Sequence, residues 1–251
     1  MRYFLELAYN GKNYFGWQIQ PNQISIQEAI ETRLSKILGQ KISIVGAGRT
    51  DTGVHAKKMY AHFDFEGELK KDLVKHLNSF LPKDIAIFKI HEMYPEAHAR
   101  FDATSRSYNY FISPQKNPFT YEGAWVFNRN LDLEKMNDAA QLLIMKDDFG
   151  SFAKLHTDVK TNICDVREAF WRVNEEGQFV FQITADRFLR NMVRAIVGTL
   201  VEVGIGKITK EDFANIIANQ NRSSAGASAP AQGLYLVDVQ YPKELFINEF
   251  K

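Results

Sequence analysis

One carboxylate and one guanidinium lie close together in a glycine-rich stretch of the chain, residues 45–56 (VGAGRTDTGVHA). The three glycines leave little side-chain bulk around Arg49 and Asp51, so that another molecule can approach the main chain closely. The apolar run at residues 42–45 predicts the end of a strand, which places the stretch where the edge of a sheet opens to solvent. This glycine loop is a candidate reaction centre, and the rest of the chain has to indicate which reaction it carries out.

Three short motifs match known chemistry only in part. Residues 46–48 begin like a dinucleotide-binding loop, but Asp51 occupies the place of the third glycine, and no amphipathic helix follows. Residues 148–150 match a kinase triplet, yet the companion kinase motifs are missing from the sequence. Residues 51–53 match the aspartic-protease triplet, whose chemistry needs two carboxylates that share a proton. A homodimer could supply the second carboxylate, but Arg49 would disrupt the apolar setting of such a pair.

A group of arginines is predicted to lie along one face of a helix that spans residues 188–203. At about 100° per residue, Arg187, Arg190 and Arg194 fall within roughly 60° of each other, opposite an apolar face. A basic stripe on a packed helix suits the binding of phosphate or carboxylate groups. The alternative interpretation is a face that is simply exposed to solvent.

Aromatic and imidazole side chains have structural interpretations beside functional ones. Tyr108 and Tyr110 share one face of a strand predicted at residues 105–113, and packing on the sheet fits Tyr110 better than a binding role. His55 and His62 are not surrounded by further ligand residues, so we expect hydrogen bonds from them rather than metal coordination. The sequence therefore predicts no metal site.

Composition narrows the class of protein. Of 251 residues, 45% are hydrophobic and 24% are charged, which is ordinary for a soluble globular protein. The net charge of +1 does not by itself indicate a nucleic-acid-binding protein, so any basic surface has to be local. The single cysteine, Cys164, fits a reducing compartment, and neither an apolar signal region nor a stretch long enough to span a membrane is present in the sequence. These features predict a cytoplasmic protein.

The order of predicted elements indicates an α+β fold made of two halves. The first half follows the order strand, helix, strand, strand, helix, strand, which predicts a ferredoxin-like unit with helices on one face of an antiparallel sheet. Past residue 100 a similar order begins again, so we expect two such domains, 1–104 and 105–251, that share a cleft. Helices are predicted at 26–38, 73–81, 132–144, 188–203 and 209–218, and strands at 3–9, 60–65, 85–90, 105–113, 166–173, 179–185 and 234–241.

Residues 48–55 (GRTDTGVH) resemble the catalytic motif of the tRNA pseudouridine synthase A (TruA) family. The one departure is Thr52, where alanine is common in the family, and it puts nothing essential in doubt. The resemblance extends nearly from end to end. The other segments that carry it are 13–18 (NYFGWQ), 99–110 (ARFDATSRSYNY), 188–194 (FLRNMVR), 225–230 (AGASAP) and 233–236 (GLYL).

This resemblance implies the pseudouridine synthase fold, with ferredoxin/RRM-like halves and the active-site cleft between them. It implies an isomerase, an intramolecular transferase that converts uridine to pseudouridine at positions 38, 39 and 40 in the anticodon stem-loop of tRNA. Asp51 is the implied nucleophile, since an ionised carboxylate can attack covalently. The sequence leaves attack at C6 of the base and attack at C1′ of the ribose both open.

The resemblance also implies roles for three other residues. Arg194 forms a salt bridge with Asp51, which favours the charged carboxylate. Arg49 fills the space vacated when the target base flips out of its stack. Tyr108 stacks on the flipped base and helps to remove the proton from C5.

The implied partners are a tRNA and a second copy of the chain, because family members are homodimers in which one tRNA touches both protomers. The reaction changes no oxidation state and needs no energy input, so we expect no cofactor. A catalytically silent RNA-binding module of the same fold is the alternative. Retention of Arg49, Asp51 and Tyr108 argues against it.

Overall fold

The protein is described by a computed structural model over residues 1–154 and 160–250. Its helices are α1 (Ile26–Leu38), α2 (Leu73–Phe80), α3 (Leu133–Ala140), α4 (Met192–Gly204) and α5 (Lys210–Asn219). Its strands are β1 (Arg2–Tyr9), β2 (Val45–Gly46), β3 (His55–Asp64), β4 (Ile85–Met93), β5 (Ser105–Ser113), β6 (Trp125–Val126), β7 (Lys146–Asp148), β8 (Ile163–Val173), β9 (Phe179–Ala185), β10 (Leu234–Gln240) and β11 (Phe246–Phe250).

The chain divides into two compact units. Unit 1 comprises Met1–Ser105 and Leu236–Lys251, and unit 2 comprises Arg106–Tyr235. The sequence placed a boundary between residues 104 and 105 and assigned everything after it to the second domain. By its contacts the segment from Leu236 onward belongs with unit 1, since β11 pairs antiparallel with β4.

Helix α1 shows how local sequence sets an element that supports the glycine loop. The Ser25 hydroxyl accepts a hydrogen bond from the Glu28 N–H at 3.1 Å, which satisfies one of the unpaired donors at the helix start. Gly39 ends the helix in the left-handed region, with φ of 71°. The buried side chains of Ile26, Ile30 and Leu34 face the core. The predicted limits of this helix are confirmed.

The strands of unit 1 form an antiparallel sheet in the order β4-β1-β3-β2, with β11 beside β4. This is the strand order of the ferredoxin-like unit that the sequence predicts, and the α+β class is confirmed. Strand β2 is shorter than the strand that the apolar run at residues 42–45 predicts. The reason is that the Ile42 and Ile44 N–H groups donate to side chains of α1, Ser35 and Glu31, at 2.9 and 2.8 Å.

Unit 2 contains a second antiparallel arrangement, β5-β9-β8-β7, with the short β6 parallel to β5. Helices α3, α4 and α5 contact one another, and α3 also contacts β8. Most of the side chains of α4 are buried. Among the described residues, none of the helices is long and apolar enough to cross a membrane.

The arginine stripe predicted for one helix is wrong, because α4 begins only at Met192. Asn191 adopts the left-handed conformation with φ of 67°, and its side-chain amide donates to the Ser228 hydroxyl at 2.7 Å. Arg187 and Arg190 therefore precede the helix, and only Arg194 lies on it. The apolar spacing that extended the prediction backwards comes from Leu189, which is buried within the preceding irregular segment.

A buried histidine on β3 makes the stability of unit 1 sensitive to acid. The His62 Nδ1 accepts a hydrogen bond from the Ala99 N–H at 3.1 Å, and the His98 ring packs edge-on at 4.6 Å between centroids. Burial, with the positive charge of Arg2 and the neighbouring His98, lowers the pKa of His62 to about 4. The folded protein therefore holds this imidazole neutral at pH values where the unfolded chain protonates it.

We predict that the free energy of unfolding falls as the pH is lowered from about 6.5 to about 4. In this window His62 is protonated in the unfolded state and stays neutral in the folded state. The free energy of unfolding therefore falls by roughly 2–3 kcal/mol. Urea unfolding at a series of pH values measures it. His62→Asn keeps an acceptor for the Ala99 N–H, and we expect a flatter curve from this variant.

The exposed His76 supplies the matched control, since His76→Asn removes an imidazole without disturbing a buried hydrogen bond. Its unfolding curve should follow that of the unchanged protein over the whole pH range. Equal slopes for His62→Asn and the unchanged protein would contradict the assignment.

Candidate active site

Asp51 lies in the glycine loop between β2 and β3 and opens a tight turn. The Val54 N–H donates to the Asp51 carbonyl at 3.1 Å, and Gly53 takes a φ of 78°. This hydrogen bond, with positive φ at the third residue of the turn, is the type II arrangement that favours glycine there. The Asp51 side chain is half-buried, whereas Thr52 beside it is exposed. The turn therefore defines the backbone from which the half-buried Asp51 side chain departs.

The aromatic segment at residues 13–18 holds this loop through its backbone. The Trp17 N–H donates to the Thr50 carbonyl at 3.2 Å, and the Gly53 N–H donates to the Tyr14 carbonyl at 3.3 Å. Gly16 lies between the two contacts with φ of 85°, and a Cβ added to it would overlap the Thr50 carbonyl oxygen. Only glycine allows two backbone segments to approach this closely in that conformation.

Side chains add to this attachment on the side of the loop that faces the core. The hydroxyl groups of Tyr9 and Thr50 are hydrogen-bonded at 2.9 Å, and both residues are buried. The Trp17 indole lies directly against Gly46, where an added Cβ would come within 2.6 Å of the ring. Sequence analysis missed Tyr9 and Thr50, because a tyrosine at a strand end and a threonine in a loop carry no distinctive spacing.

His55 closes the loop as a structural residue. Its Nδ1 accepts the Gly11 N–H at 3.1 Å, as the sequence predicted for a histidine that forms hydrogen bonds. Within the residues that the structure describes, no three His, Cys, Asp or Glu side chains are grouped so as to hold a metal ion.

The front of the loop is open. A Cβ added to Gly48 would meet no atom within 4 Å, and the Arg49 side chain is exposed. Open space is therefore found at Gly48 and Arg49, whereas Thr50 directly after them is buried. Arg49 and Asp51 are neighbours in the chain but occupy different environments.

In unit 2, Tyr108 lies on β5 opposite Ile183 of β9 and is half-buried. The Phe188 ring meets it edge to face at 5.1 Å between centroids and an interplanar angle of 86°. This contact orients the Tyr108 ring. Tyr110, by contrast, is buried and donates its hydroxyl to the Pro230 carbonyl at 2.7 Å, which confirms its structural interpretation. Burial raises the pKa of Tyr110, so this hydroxyl remains a donor.

Arg194 lies in the first turn of α4 and is half-buried. Its Nε donates to the Ala229 carbonyl at 2.7 Å, and its own carbonyl accepts the Ala229 N–H at 2.9 Å. The loop that carries Ala229 approaches α4 closely, since a Cβ on Gly198 would overlap the Ala227 carbonyl. The Gly226 N–H also donates to the Thr199 hydroxyl on α4 at 3.0 Å. These contacts set the direction in which the Arg194 guanidinium projects.

Arg222 fastens the same loop from its other side. It donates to the carbonyls of Ala225 and Gly226 at 3.3 and 3.1 Å and to the Ser228 hydroxyl at 3.0 Å.

Of the four predicted site residues, Arg49 and Asp51 lie in one loop of unit 1, and Tyr108 and Arg194 lie in unit 2. The salt bridge between Asp51 and Arg194 stays a prediction.

We predict that Gly16→Ala strongly destabilises the attachment of the glycine loop. The added methyl group has to displace the Thr50 carbonyl besides straining a left-handed residue, so we expect a loss of about 2–4 kcal/mol in the free energy of unfolding. Gly39→Ala is the matched control, because Gly39 has a φ of 71° with nothing within 4 Å of an added Cβ. Urea unfolding of both variants measures the difference, and equal losses would show that the close approach costs nothing.

Comparison with known proteins identifies the family of this chain. The sequence profile of a family described as tRNA pseudouridine synthase matches residues 7–102 and 139–242. A protein of Bacteroides fragilis named tRNA pseudouridine synthase A is 55% identical over 247 residues, with 98% of each chain covered. A protein of the same name from Colwellia psychrerythraea is 40% identical over 248 residues, covering 97% of this chain and 95% of its own.

Among solved structures, one titled Crystal Structure of a Cbf5-Nop10-Gar1 Complex matches 93% of this chain and 57% of its own at 12% identity. Its TM-score of 0.35 is too low to bear on the fold. The family profile covers most of both units, and the relatives align over almost the entire chain. On these matches, the chain belongs to the tRNA pseudouridine synthase family.

Proposed function

We propose that this protein isomerises uridine to pseudouridine in tRNA. The observation that carries the proposal is the half-buried side chain of Asp51 on a hydrogen-bonded turn, in a loop that retains the family's catalytic motif. The relatives named tRNA pseudouridine synthase A, 40–55% identical over nearly the whole chain, support the same activity. The alternative of a silent RNA-binding module is disfavoured, because the residues that chemistry requires are all retained.

Asp51 acts as the nucleophile. The bond between N1 of the base and C1′ of the ribose breaks, the uracil turns, and a new bond forms between C5 and C1′. C5 loses its proton and N1 takes one up, so that substrate and product remain isomers. A carboxylate can assist by covalent attack at C6 of the base or at C1′ of the sugar. Both routes require one well-placed carboxylate oxygen, and the defined turn from Asp51 to Val54 supports this role.

Arg49 replaces the target base in its stack. A base inside a stem is out of reach of the enzyme, so it has to flip out into the site. The exposed side chain of Arg49 extends from the open front of the loop, beside the unobstructed backbone of Gly48. It can enter the RNA while Asp51 remains attached to unit 1.

Tyr108 stacks on the flipped base and helps to remove the proton from C5. Its ring is flat, half-buried and fixed by Phe188, which suits stacking on a pyrimidine. A tyrosine hydroxyl can exchange protons within hydrogen-bond reach. No cofactor enters this scheme, because substrate and product are isomers.

Arg194 pairs with the Asp51 carboxylate and keeps it ionised. A nearby cation favours the charged form of a carboxyl group. The bond from Nε to the Ala229 carbonyl directs the guanidinium and limits its motion.

The substrate is the anticodon stem-loop of tRNA, with positions 38, 39 and 40 as the modified sites. The enzyme acts in the cytoplasm as a homodimer, with each tRNA touching both protomers. Family membership supports these details, and individual arginines such as Arg49 and Arg194 can supply local positive charge for RNA on a chain whose net charge is +1.

We predict that cells lacking this protein lose pseudouridine at positions 38, 39 and 40 of their tRNAs. The unchanged gene should restore all three, and Asp51→Asn should restore none, because an amide is a poor nucleophile. With purified protein, release of tritium from C5-labelled uridine in tRNA should fall by at least about a thousandfold. Binding of tRNA should persist.

Thr52→Ala is the matched control for this experiment. It alters the exposed neighbour of Asp51 to the residue that is common in the family, so we expect full activity from it. Turnover by Asp51→Asn at a rate similar to Thr52→Ala would exclude Asp51 as the nucleophile.

We predict that Arg194→Met lowers the rate on the order of a hundredfold and moves the acidic limb of the pH–rate profile to higher pH. Loss of the cation makes the carboxylate harder to ionise, so activity should recover in part as the pH rises. The measurement is the single-turnover rate with saturating tRNA from pH 5 to pH 9.

Arg222→Met is the control that distinguishes the effect of the Arg194 charge from the effect of loosening the loop that Arg194 also contacts. It removes a guanidinium that also holds backbone carbonyls of residues 225–226. We expect this control to reduce stability while leaving the acidic limb in place. An identical shift in both variants would mean that the loop, and not the ion pair, controls the profile.

A further inference from the structure

The buried hydroxyl pair of Tyr9 and Thr50 has no part in the mechanism above. We propose that these two side chains are positioning residues, which aim the carboxylate of Asp51 at its target atom. The inference rests on the proposed function, in which Asp51 is the nucleophile. It assigns a catalytic consequence to a contact that lies beneath the loop and does not touch the substrate.

The pair anchors the residue that directly precedes the nucleophile. Tyr9 is 4% exposed and Thr50 is 8% exposed, so the hydrogen bond of 2.9 Å between their hydroxyl groups is shielded from water. The carbonyl of Thr50 accepts the Trp17 N–H at 3.2 Å. With its side chain and its peptide group both held, Thr50 fixes the backbone from which the Asp51 side chain departs.

The attachment lies at the end of β1 that pairs with the start of β3. The register between β1 and β3 shifts between Leu7 and Tyr9, and Tyr9 pairs with Ala56, the last residue of the glycine loop. Irregularities of this kind are common beside active sites, where they change the aim of side chains. The Tyr9 hydroxyl meets Thr50 from within the sheet, so the loop is attached to β1, a strand that pairs with both β3 and β4.

A hydrogen bond between two buried side-chain hydroxyls constrains the positions of both residues more tightly than a hydrogen bond to a flexible partner does. The surrounding residues are buried and close-packed, so neither group can turn to water instead. Covalent attack tolerates little displacement, and an error of about 1 Å can cost a hundredfold in rate. At the preceding residues, by contrast, a Cβ added to Gly48 would meet no atom within 4 Å, and the Arg49 side chain is exposed.

The test uses three variants of the full-length protein. Thr50→Val keeps the shape of the side chain and removes its hydroxyl, Thr50→Ser keeps the hydroxyl and removes the methyl group, and Tyr9→Phe removes the partner. We expect Thr50→Val and Tyr9→Phe to lower kcat roughly 10- to 100-fold, with KM and the Kd for tRNA within about twofold of the unchanged protein. Thr50→Ser should retain kcat.

The double variant with Tyr9→Phe and Thr50→Val should be no slower than either single one, because each change already breaks the same bond. Tyr241→Phe is the matched control. It removes a tyrosine hydroxyl that donates to the Ala99 carbonyl in unit 1, away from the glycine loop, and it should leave kcat unchanged. Thermal unfolding of every variant establishes that the protein is folded at the assay temperature.

A purely structural role gives a different pattern. Thr50→Ser would then lose as much activity as Thr50→Val, or kcat would fall only in proportion to the folded fraction, and either result overturns the proposal. Normal kcat in Thr50→Val and Tyr9→Phe also overturns it. If Asp51→Asn is inactive in the same assay, either of these results refutes only the positioning role of Tyr9 and Thr50. If Asp51→Asn is active, the proposed function itself is refuted.

Discussion

The candidate site depends on the close approach of two backbone segments at Gly16. The carbonyl of Thr50 occupies the space that any other side chain at this position would need. Because of this contact, the Trp17 N–H can reach that carbonyl, and the Tyr14 carbonyl can reach the Gly53 N–H. Backbone hydrogen bonds of this kind fix a loop more firmly than long side chains do, since little rotamer freedom has to be lost. A loop that starts at a two-residue strand thereby gains a defined conformation.

In unit 2 a glycine likewise allows a close backbone contact, and this contact holds Arg194. Gly198 lets the loop around Ala227 contact the surface of α4, and the Ala229 carbonyl then accepts the Arg194 Nε at 2.7 Å. In both units a glycine permits the contact and backbone carbonyls receive the donors. Under the proposed function, the charged side chains of the two units thus project from backbone supports that are held by contacts within the protein, which is the preorganisation that electrostatic catalysis needs.

Local signals made much of this arrangement predictable. The cap at Ser25, the apolar spacing of α1 and the stop at Gly39 defined that helix from sequence, and the order of elements indicated the ferredoxin-like unit. The start of α4 was not predictable, because the left-handed conformation of Asn191 goes with a hydrogen bond to Ser228, far away in the chain. For the same reason the attachment of the last strand to unit 1 could not be derived from a local pattern. The candidate residues could be identified from sequence motifs, whereas the residues that hold them in place became visible only through tertiary contacts in the structure.

Thr50 lies between Arg49 and Asp51, to which the proposed function gives opposite requirements. A residue that enters a nucleic-acid stack has to be solvent-exposed and long, while a nucleophile has to be held within a fraction of an ångström. The Arg49 side chain is exposed, whereas the Thr50 side chain is buried and hydrogen-bonded to Tyr9, and the Thr50 carbonyl accepts the Trp17 N–H. The backbone is therefore attached to the core directly between the two residues. Under the proposed function, this attachment keeps the motion of Arg49 during base flipping from reaching Asp51 through the backbone.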